Sequence, residues 1–322
     1  METKHLLTFF LLVCFPLAAY SKIYQHIPLP PGLTGPESVE FDCKGEGPYS
    51  GLSDGRIFKY QGRKRGWTEF AYTSPMRNRS LCDGTSDMKL AARCGRTLGL
   101  KFHMRTCELY IADAYYGLMK VGRNGGGAVP IVTSAEGTPL RFTNSLEIDV
   151  ENHVIYFTDS SSRYQFDQYP RAIKIGDSTG RFLKYNLRTK KVTVLLRGLK
   201  FANGVALSKK KDYAIVCELS KGEILRYWLK GPKAHTSEFF VRTPGPPDNI
   251  NRNAKGEFWV GVITRNTTAG AVIGVRINGN GKILQRLIGD DFYGSVSEVE
   301  ERNGHLLIGS IGGPNFLGIT TV

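Results

Sequence analysis

One strand-like segment recurs six times along this chain, and no other feature limits the possible folds as strongly. Its copies begin at residues 49, 109, 155, 213, 258 and 306. A second strand-like segment follows each copy, at 56–60, 117–121, 181–185, 224–229, 271–277 and 316–322. A hairpin-rich unit of this length, repeated in phase, is typical of a four-stranded propeller blade. The sequence therefore predicts an all-β, six-bladed β-propeller with four antiparallel strands per blade.

Residues 1–21 have the composition of a secretory signal peptide. A basic start precedes an apolar run from Leu6 to Ala19, and Ala19-Tyr20-Ser21 supplies small residues before the expected cleavage site. The run is shorter than the ~20 apolar residues that a membrane span needs. We expect residues 22–322 to form a single propeller domain in the lumen of the secretory pathway, either in the vacuole or outside the cell.

The surface composition limits the partners of such a chain. The formal net charge is +14, but the basic residues are scattered through loops, as at Lys209-Lys210-Lys211, and form no basic-aromatic motif for nucleic acid. We expect a monomer that takes a small-molecule substrate and binds no nucleic acid. Asn78 and Asn266 begin N-glycosylation sequons, which are meaningful in a secreted chain.

Five cysteines remain once the first 21 residues are removed. Cys82 and Cys94 flank a polar loop and are predicted to form a disulfide, which stabilises by roughly 3 kcal/mol in the chain-entropy model. Cys43, Cys107 and Cys217 lie in strand-like sequence and are predicted to be buried, reduced thiols.

An Asn, or an Asp-Asn pair, precedes the repeated strand in three blades. The three segments are F-T-N-S-L-E-I-D at 142–149, F-A-N-G-V-A-L-S at 201–208 and P-P-D-N-I-N-R-N at 246–253. A single Asn before a strand is usually a turn residue. Three of them in phase predict amide and carboxylate oxygens that meet at one central site.

Several longer motifs together make the chain resemble the strictosidine synthase-like proteins of plants. The matching segments are C-G-R-T-L-G-L (94–100), L-Y-I-A-D-A-Y-Y-G-L (109–118), V-I-Y-F-T-D-S-S-S-R-Y (154–164), G-R-F-L-K-Y (180–185), L-R-Y-W-L-K-G-P-K (225–233) and R-N-A-K-G-E-F-W-V (252–260). The resemblance covers nearly all of the mature chain. It implies a six-bladed propeller, which calcium-dependent lactonases and paraoxonase-type hydrolases share.

The resemblance implies one candidate activity, the Pictet–Spengler condensation of tryptamine with secologanin. Strictosidine synthase depends on a glutamate in its last blade, and the matching segment here is G-S-V-S-E-V-E-E-R-N-G at 294–304. Ser297 stands at the position of that glutamate, and serine cannot serve as the acid/base. Glu298 is one residue away and should not substitute, because neighbouring side chains of a strand point to opposite faces.

The resemblance to the lactonases implies a different site, with one divalent cation at the propeller centre. Glu37 resembles their glutamate ligand, Asn144 and Asn203 resemble two asparagine ligands, and Asp248 with Asn249 resembles the last pair. Because all of these are hard oxygen donors, the expected cofactor is one calcium ion.

Two departures limit how far paraoxonase chemistry can be transferred. Ser145 stands where paraoxonases place an aspartate for a second calcium, and Leu98-Gly99 stands where they have a catalytic histidine. The leading hypothesis is a metal-dependent hydrolase of esters or lactones, with Asp248 activating water. Two alternatives stay open: a condensing enzyme with a different acid/base, and a non-catalytic binding propeller.

We expect no strictosidine from tryptamine and secologanin, because Ser297 replaces the required acid/base. Ser297→Glu is expected to restore little activity, since the pocket must also fit both substrates. Product analysis by mass spectrometry, with an authentic strictosidine synthase as positive control, tests this. Strictosidine formed at enzyme-like rates would contradict the prediction.

Overall fold

The computed structural model describes residues 24–264, 270–289, 295–313 and 315–322. Six antiparallel four-stranded sheets form the blades of a propeller, as the repeat predicts. The expected signal peptide and the sequon at Asn266 lie outside the described residues. No helix among the described residues is long and apolar enough to cross a membrane.

The first half of the propeller contains three blades, which follow a short first strand, β1 (Gln25–Pro28). Blade 1 consists of β2 (Ser38–Glu40), β3 (Tyr49–Gly51), β4 (Arg56–Tyr60) and β5 (Trp67–Tyr72). Blade 2 consists of β6 (Thr97–Phe102), β7 (Leu109–Asp113), β8 (Gly117–Val121) and β10 (Val129–Val132), while β9 (Gly126–Gly127) pairs in parallel with β5. A small ribbon of β11 (Ser134–Ala135) and β12 (Thr138–Pro139) precedes blade 3, which consists of β13 (Thr143–Asp149), β14 (Val154–Asp159), β15 (Gly180–Asn186) and β16 (Val192–Leu199).

The second half follows the same order. Blade 4 consists of β17 (Ala202–Leu207), β18 (Tyr213–Glu218), β19 (Glu223–Trp228) and β20 (Ser237–Arg242). Blade 5 consists of β21 (Pro247–Arg252), β22 (Phe258–Val262), β23 (Val272–Ile277) and β24 (Ile283–Ile288). Blade 6 consists of β25 (Val296–Arg302), β26 (His305–Ser310) and β27 (Phe316–Thr321), and β1 adds its fourth strand.

The pairing of β1 with β27 closes the ring. The register joins Gln25 to Ile319 and Pro28 to Phe316, so the first and last strands share one sheet. The innermost strands of neighbouring blades pack side by side all the way round. Radial repetition of this kind leaves only short sheet edges, which the ring protects.

The hydrophobic core lies between blades rather than at the axis. One cluster joins Leu118 of blade 2 to Phe157 and Leu183 of blade 3, and another joins Ile215 of blade 4 to Val260 of blade 5. Alternating strand residues face the neighbouring blade on each side. The axis is therefore left to polar side chains.

Two insertions carry the short helices. The first, between blades 1 and 2, contains α1 (Arg79–Cys82), a 3₁₀ turn (Met88–Leu90) and α2 (Ala91–Cys94). The second, between β14 and β15, contains a 3₁₀ turn (Phe166–Gln168) and α3 (Tyr169–Lys174). A third 3₁₀ turn (Leu219–Lys221) follows β18.

The disulfides confirm one cysteine prediction and overturn another. Cys82 and Cys94 are bonded, and Cys217 in β18 is a buried free thiol, as expected. Cys43 and Cys107 were predicted to be reduced, but they are bonded to each other. The prediction was wrong because these residues lie in the turns after β2 and β6, not in strands. Those turns occupy matching positions in adjacent blades and therefore lie side by side.

Both disulfides are expected to contribute to stability, and the longer closed loop should contribute more. In the chain-entropy model, the 64-residue separation of Cys43 and Cys107 is worth about 4 kcal/mol and the 12-residue separation of Cys82 and Cys94 about 3 kcal/mol. Denaturant unfolding of the two double Cys→Ser variants measures the difference. Alkylation of Cys107 in folded, unreduced protein would show that the Cys43 bond is absent.

Candidate functional site

The predicted ligand residues occupy equivalent positions where the inner strands begin. In β13, the ladder pairs Thr143 with Asp159 and then Leu146 with Phe157, so Asn144 and Ser145 oppose a single residue. The same two-against-one bulge contains Asn203 in β17 and Asp248 with Asn249 in β21. A bulge adds one residue to a strand and re-aims the local side chains. It is the local reason why these polar groups reach the axis.

The structure brings four of the five predicted residues to the wall of one cavity, namely Glu37, Asn144, Asn203 and Asp248. The fifth, Asn249, donates from Nδ2 to Oε1 of Glu37 at 3.0 Å, so it contacts one of the four cavity residues directly. All five side chains are almost completely buried. The predicted set is therefore one cluster drawn from four blades.

The three asparagine amides of this cluster are oriented alike, with the nitrogen hydrogen-bonded to the protein and the oxygen left without a donor from the described part of the chain. Nδ2 of Asn144 donates to Oγ of Ser160 at 2.9 Å, Asn203 hydrogen-bonds to the Asp248 side chain, and Nδ2 of Asn249 is held by Glu37. The opposite atoms have no hydrogen-bond partner among the described residues: Oδ1 of Asn144, Asn203 and Asn249, together with Oε2 of Glu37. Buried oxygens without a donor are costly, and four together form an environment suited to a cation.

The carboxylates in the cluster are destabilised as anions. Burial raises the pKa of Glu37 well above its usual range, and the charges of Asp248 and Glu298 raise it further. Burial also raises the pKa of Asp248 to about 7, against the lowering effect of its hydrogen bond to Asn203. Neither Glu37 nor Asp248 forms a salt bridge with a basic side chain in the described part of the chain. A bound cation would compensate both charges.

These residues fit a calcium ion by the chemistry of their donors. Calcium takes six to eight oxygen ligands, and two carboxylates with three amide oxygens supply most of such a set. Within the described ranges, no group of three His, Cys, Asp or Glu side chains has metal-binding geometry, so a carboxylate- or imidazole-rich centre is not formed there. The candidate site depends on amide oxygens for most of its ligands.

The cavity above the cluster has a volume of about 300 Å³. Leu98 of blade 2, Phe142 and Phe201 line it beside the axis, while Phe166 and Ile173 from the α3 insertion form its outer wall. Sequence reasoning did not identify Ile173. Ile173 lies in a short helix that has no counterpart in the other blades. The repeat pattern therefore contained nothing that could identify it.

Ser297 and Glu298 lie in the bulge of β25, but neither lines this cavity. Oγ of Ser297 donates to the backbone oxygen of Glu37 at 2.6 Å. Oε1 of Glu298 accepts from the backbone nitrogen of Val39 at 3.0 Å, and its side chain lines a second, much smaller cavity. No carboxylate from blade 6 therefore reaches the larger cavity among the described residues.

The second cavity lies on the other side of the five predicted ligand residues, here called the donor ring. It contains a partly buried cation that sequence reasoning missed. Nζ of Lys101 is 2.9 Å from Oε2 of Glu40 and donates to Oδ1 of Asn251 at 3.1 Å. Ser145, at the position of a second calcium ligand in the paraoxonases, accepts instead from the backbone nitrogen of Val205 at 3.3 Å. The sequence did contain a signal for this contact, because Lys101 interrupts the otherwise apolar inner strand T-L-G-L-K-F.

Comparisons with known proteins agree on one family. A family model described as strictosidine synthase matches residues 144–232, and one described as strictosidine synthase-like, N-terminal, matches residues 23–60. Strictosidine synthase-like protein 10 of Arabidopsis thaliana is 46% identical and covers 89% of this chain and 85% of its own length. Strictosidine synthase-like protein 3 of the same plant is 43% identical and covers 86% of this chain and 80% of its own length.

Solved structures show the same fold at much lower identity. A gluconolactonase from Xanthomonas campestris superposes with a TM-score of 0.67 at 16% identity and covers 93% of this chain and 89% of its own. A luciferin-regenerating enzyme superposes with a TM-score of 0.65 at 12% identity, covering 94% and 95%. At these identities the likeness establishes the propeller alone.

The metal-free protein is expected to lose stability as pH rises from about 5 to 8. The pKa of Asp248 is about 7 in the fold and about 3.9 in the unfolded chain. Its stabilising contribution is therefore complete below the unfolded pKa and is lost as the pH rises through 7. Calcium should raise Tm more at pH 8 than at pH 5.

Thermal melts in chelator and in calcium, across this pH range, measure both effects. Asp248→Asn is the matched control, because it keeps the side-chain shape and removes the titrating group. Its metal-free melting curve should depend less on pH. A wild-type Tm that rises toward pH 8 in chelator would contradict the assignment.

Proposed function

The chain belongs to the strictosidine synthase-like family, and on that premise we propose that it is a calcium-dependent hydrolase of ester or lactone substrates. The main support is that Glu37, Asn144 and Asn203, at the floor of a small-molecule cavity, each have a buried oxygen without a hydrogen-bond donor among the described residues. Asn249, whose Oδ1 is also without a donor there, contacts Glu37 and lines the smaller cavity. Glu37, Asn144, Asn203, Asp248 and Asn249 would hold the ion. A bound calcium would polarise the substrate carbonyl and stabilise the negative charge that develops on its oxygen.

Asp248 is the best-placed general base. It lines the cavity, where its carboxylate can accept a proton from a water molecule beside the substrate. In the proposed step, the carboxylate takes a proton from water as the water oxygen bonds to the acyl carbon. The acyl C–O bond then breaks, and Asp248 returns the proton to the departing alcohol oxygen.

Asn203 and Asn249 position the two carboxylates. Asn203 hydrogen-bonds to Asp248, and Asn249 donates to Glu37, so each acid is held by an amide from the donor ring itself. Ser297 adds a further restraint by donating to the backbone oxygen of Glu37. Fixed geometry of this kind favours catalysis because the groups need not reorganise during the reaction.

The proposed compartment is the lumen of the secretory pathway. Two disulfides in one chain are typical of oxidising compartments. Asn78, the acceptor of the described sequon, is exposed at the start of α1, where its side-chain oxygen caps the helix by accepting from the backbone nitrogen of Leu81. We propose that this residue is glycosylated.

Asp248→Asn is expected to lower kcat for ester or lactone hydrolysis by at least ~100-fold, the usual loss for a general base. Asn203→Ala is expected to weaken calcium binding by roughly tenfold or more, as loss of a ligand-positioning group does, with excess calcium restoring part of the activity. Calorimetric calcium titration and initial rates at several calcium concentrations measure the two effects.

The matched control is Asn251→Ala. Asn251 lies in the same strand as Asp248 but faces the smaller cavity, where it accepts from Lys101. Calcium affinity should be unchanged in that variant. If wild-type protein binds neither calcium nor magnesium, the metal-dependent mechanism is wrong. Calcium binding without turnover of any ester or lactone would instead favour a non-catalytic binding propeller.

A further inference from the structure

The wall of the larger cavity is chemically unlike its floor. Ten of its sixteen described lining residues are apolar or aromatic. The other six are the four axis residues Glu37, Asn144, Asn203 and Asp248, together with Ser220 and Ser295. Since the axis oxygens are assigned to the ion, two serines and the hydroxyl of Tyr169 are the remaining polar groups in the described lining.

The aromatic part of this wall is continuous. The ring of Phe142 lies 5.2 Å from that of Phe201 and 5.7 Å from that of Phe166, both in edge-to-face contact. Phe166 in turn lies 5.8 Å from Tyr169, on the first turn of α3. The rings are packed against one another, so the wall is a fixed apolar surface rather than a set of separate side chains.

No Lys, Arg or His side chain belongs to the described lining. Arg96 lies near Glu37, but its guanidinium packs behind Phe166, 5.1 Å from the ring centroid. A phosphate or carboxylate group on a substrate would therefore enter the cavity without a basic partner. With the proposed ion bound, the two acidic side chains of the floor would balance its charge, so no net positive charge would remain to compensate such a group.

The size of the cavity limits the substrate as well. A volume of about 300 Å³ is at the lower end of the range for small-molecule sites. A hydroxyl-rich sugar lactone would bury several hydroxyl groups with few partners, and each unpaired group lowers affinity. An alkyl or aromatic group would instead replace water along the wall.

We propose that the substrate of this site is an uncharged ester or lactone with an apolar body, alkyl or aromatic. Its carbonyl faces the donor ring, and its apolar part lies against Phe142, Phe166 and Ile173. The inference rests on the proposed hydrolase function and adds the substrate class. Ile173 is the specificity residue most accessible to test, because it projects from α3 and belongs to no blade.

Three lactones with the same six-membered ring separate the contributions. δ-Valerolactone is the parent, δ-decalactone adds an alkyl tail, and glucono-δ-lactone adds hydroxyl groups. Initial rates in calcium, corrected for spontaneous hydrolysis, should give a kcat/KM for δ-decalactone at least tenfold above that of the parent. Glucono-δ-lactone should fall below the parent.

Ile173→Ser should reduce the preference for δ-decalactone over δ-valerolactone by roughly three- to tenfold. Ile175→Ser is the matched control: this residue follows α3, is 53% exposed, and does not line the cavity. The Ile175→Ser variant should keep the wild-type preference for δ-decalactone over δ-valerolactone. Displacement of bound Nile red by the same lactones measures binding without turnover.

The outcomes distinguish this inference from the hydrolase assignment. Hydrolysis of glucono-δ-lactone in preference to δ-decalactone would overturn the apolar substrate class and leave the hydrolase function standing. Displacement of Nile red by δ-decalactone, weakened by Ile173→Ser but without hydrolysis of any lactone, would support the apolar site and overturn the hydrolase function. If δ-decalactone neither displaces Nile red nor is hydrolysed, the assignment of an apolar site is wrong.

Discussion

The close approach of neighbouring inner strands is the constraint on which the rest of this structure depends. A Cβ placed on Gly204 would lie 2.6 Å from the backbone oxygen of Asp248, and one on Gly261 would lie 2.4 Å from that of Ser297. Side chains therefore cannot fill the contact between these strands. The bulges resolve the conflict by adding a residue beside each contact, and the added residue faces the axis. The same feature that lets the ring close also delivers polar groups to its centre.

That arrangement leaves the centre poorly compensated. Within the part of the chain that the structure describes, Glu37 and Asp248 are buried without a salt bridge, and Oδ1 of Asn144 and of Asn203 has no hydrogen-bond donor. A fold selected for stability alone would place apolar or mutually hydrogen-bonded groups there. Lys101 shows that this chain can do so, because its ammonium group compensates Glu40 in the neighbouring cavity. The two cavities thus differ in whether the protein supplies the cation, as expected if the larger one is functional.

The sequence predicted what repeats and missed what does not. The hairpins and the ligand cluster recur in phase, so period and alternation were enough to place Asn144, Asn203 and Asp248 at one centre. The Cys43–Cys107 disulfide was missed because strand-like composition was weighed above the position of each cysteine in its repeat. Ile173 could not be found, since nothing in the other blades corresponds to it. The hydrogen bond from Ser297 to the Glu37 backbone depends on two blades that are 260 residues apart in sequence.

The six positions at the top of the axis are not equivalent, and this asymmetry favours an open site over a closed one. Blades 1, 3, 4 and 5 supply oxygen donors, whereas blade 2 supplies Leu98 and blade 6 supplies Ser297, whose hydroxyl is already bonded to Glu37. A structural calcium is usually surrounded by protein oxygens, but here the positions of blades 2 and 6, on either side of Glu37, offer none. The remaining ligands would have to come from water or from a carbonyl in the cavity. Leu98 also lines that cavity, so one position without a donor borders the apolar wall. A substrate approaching from there would meet the ion with its carbonyl and the wall with its carbon skeleton.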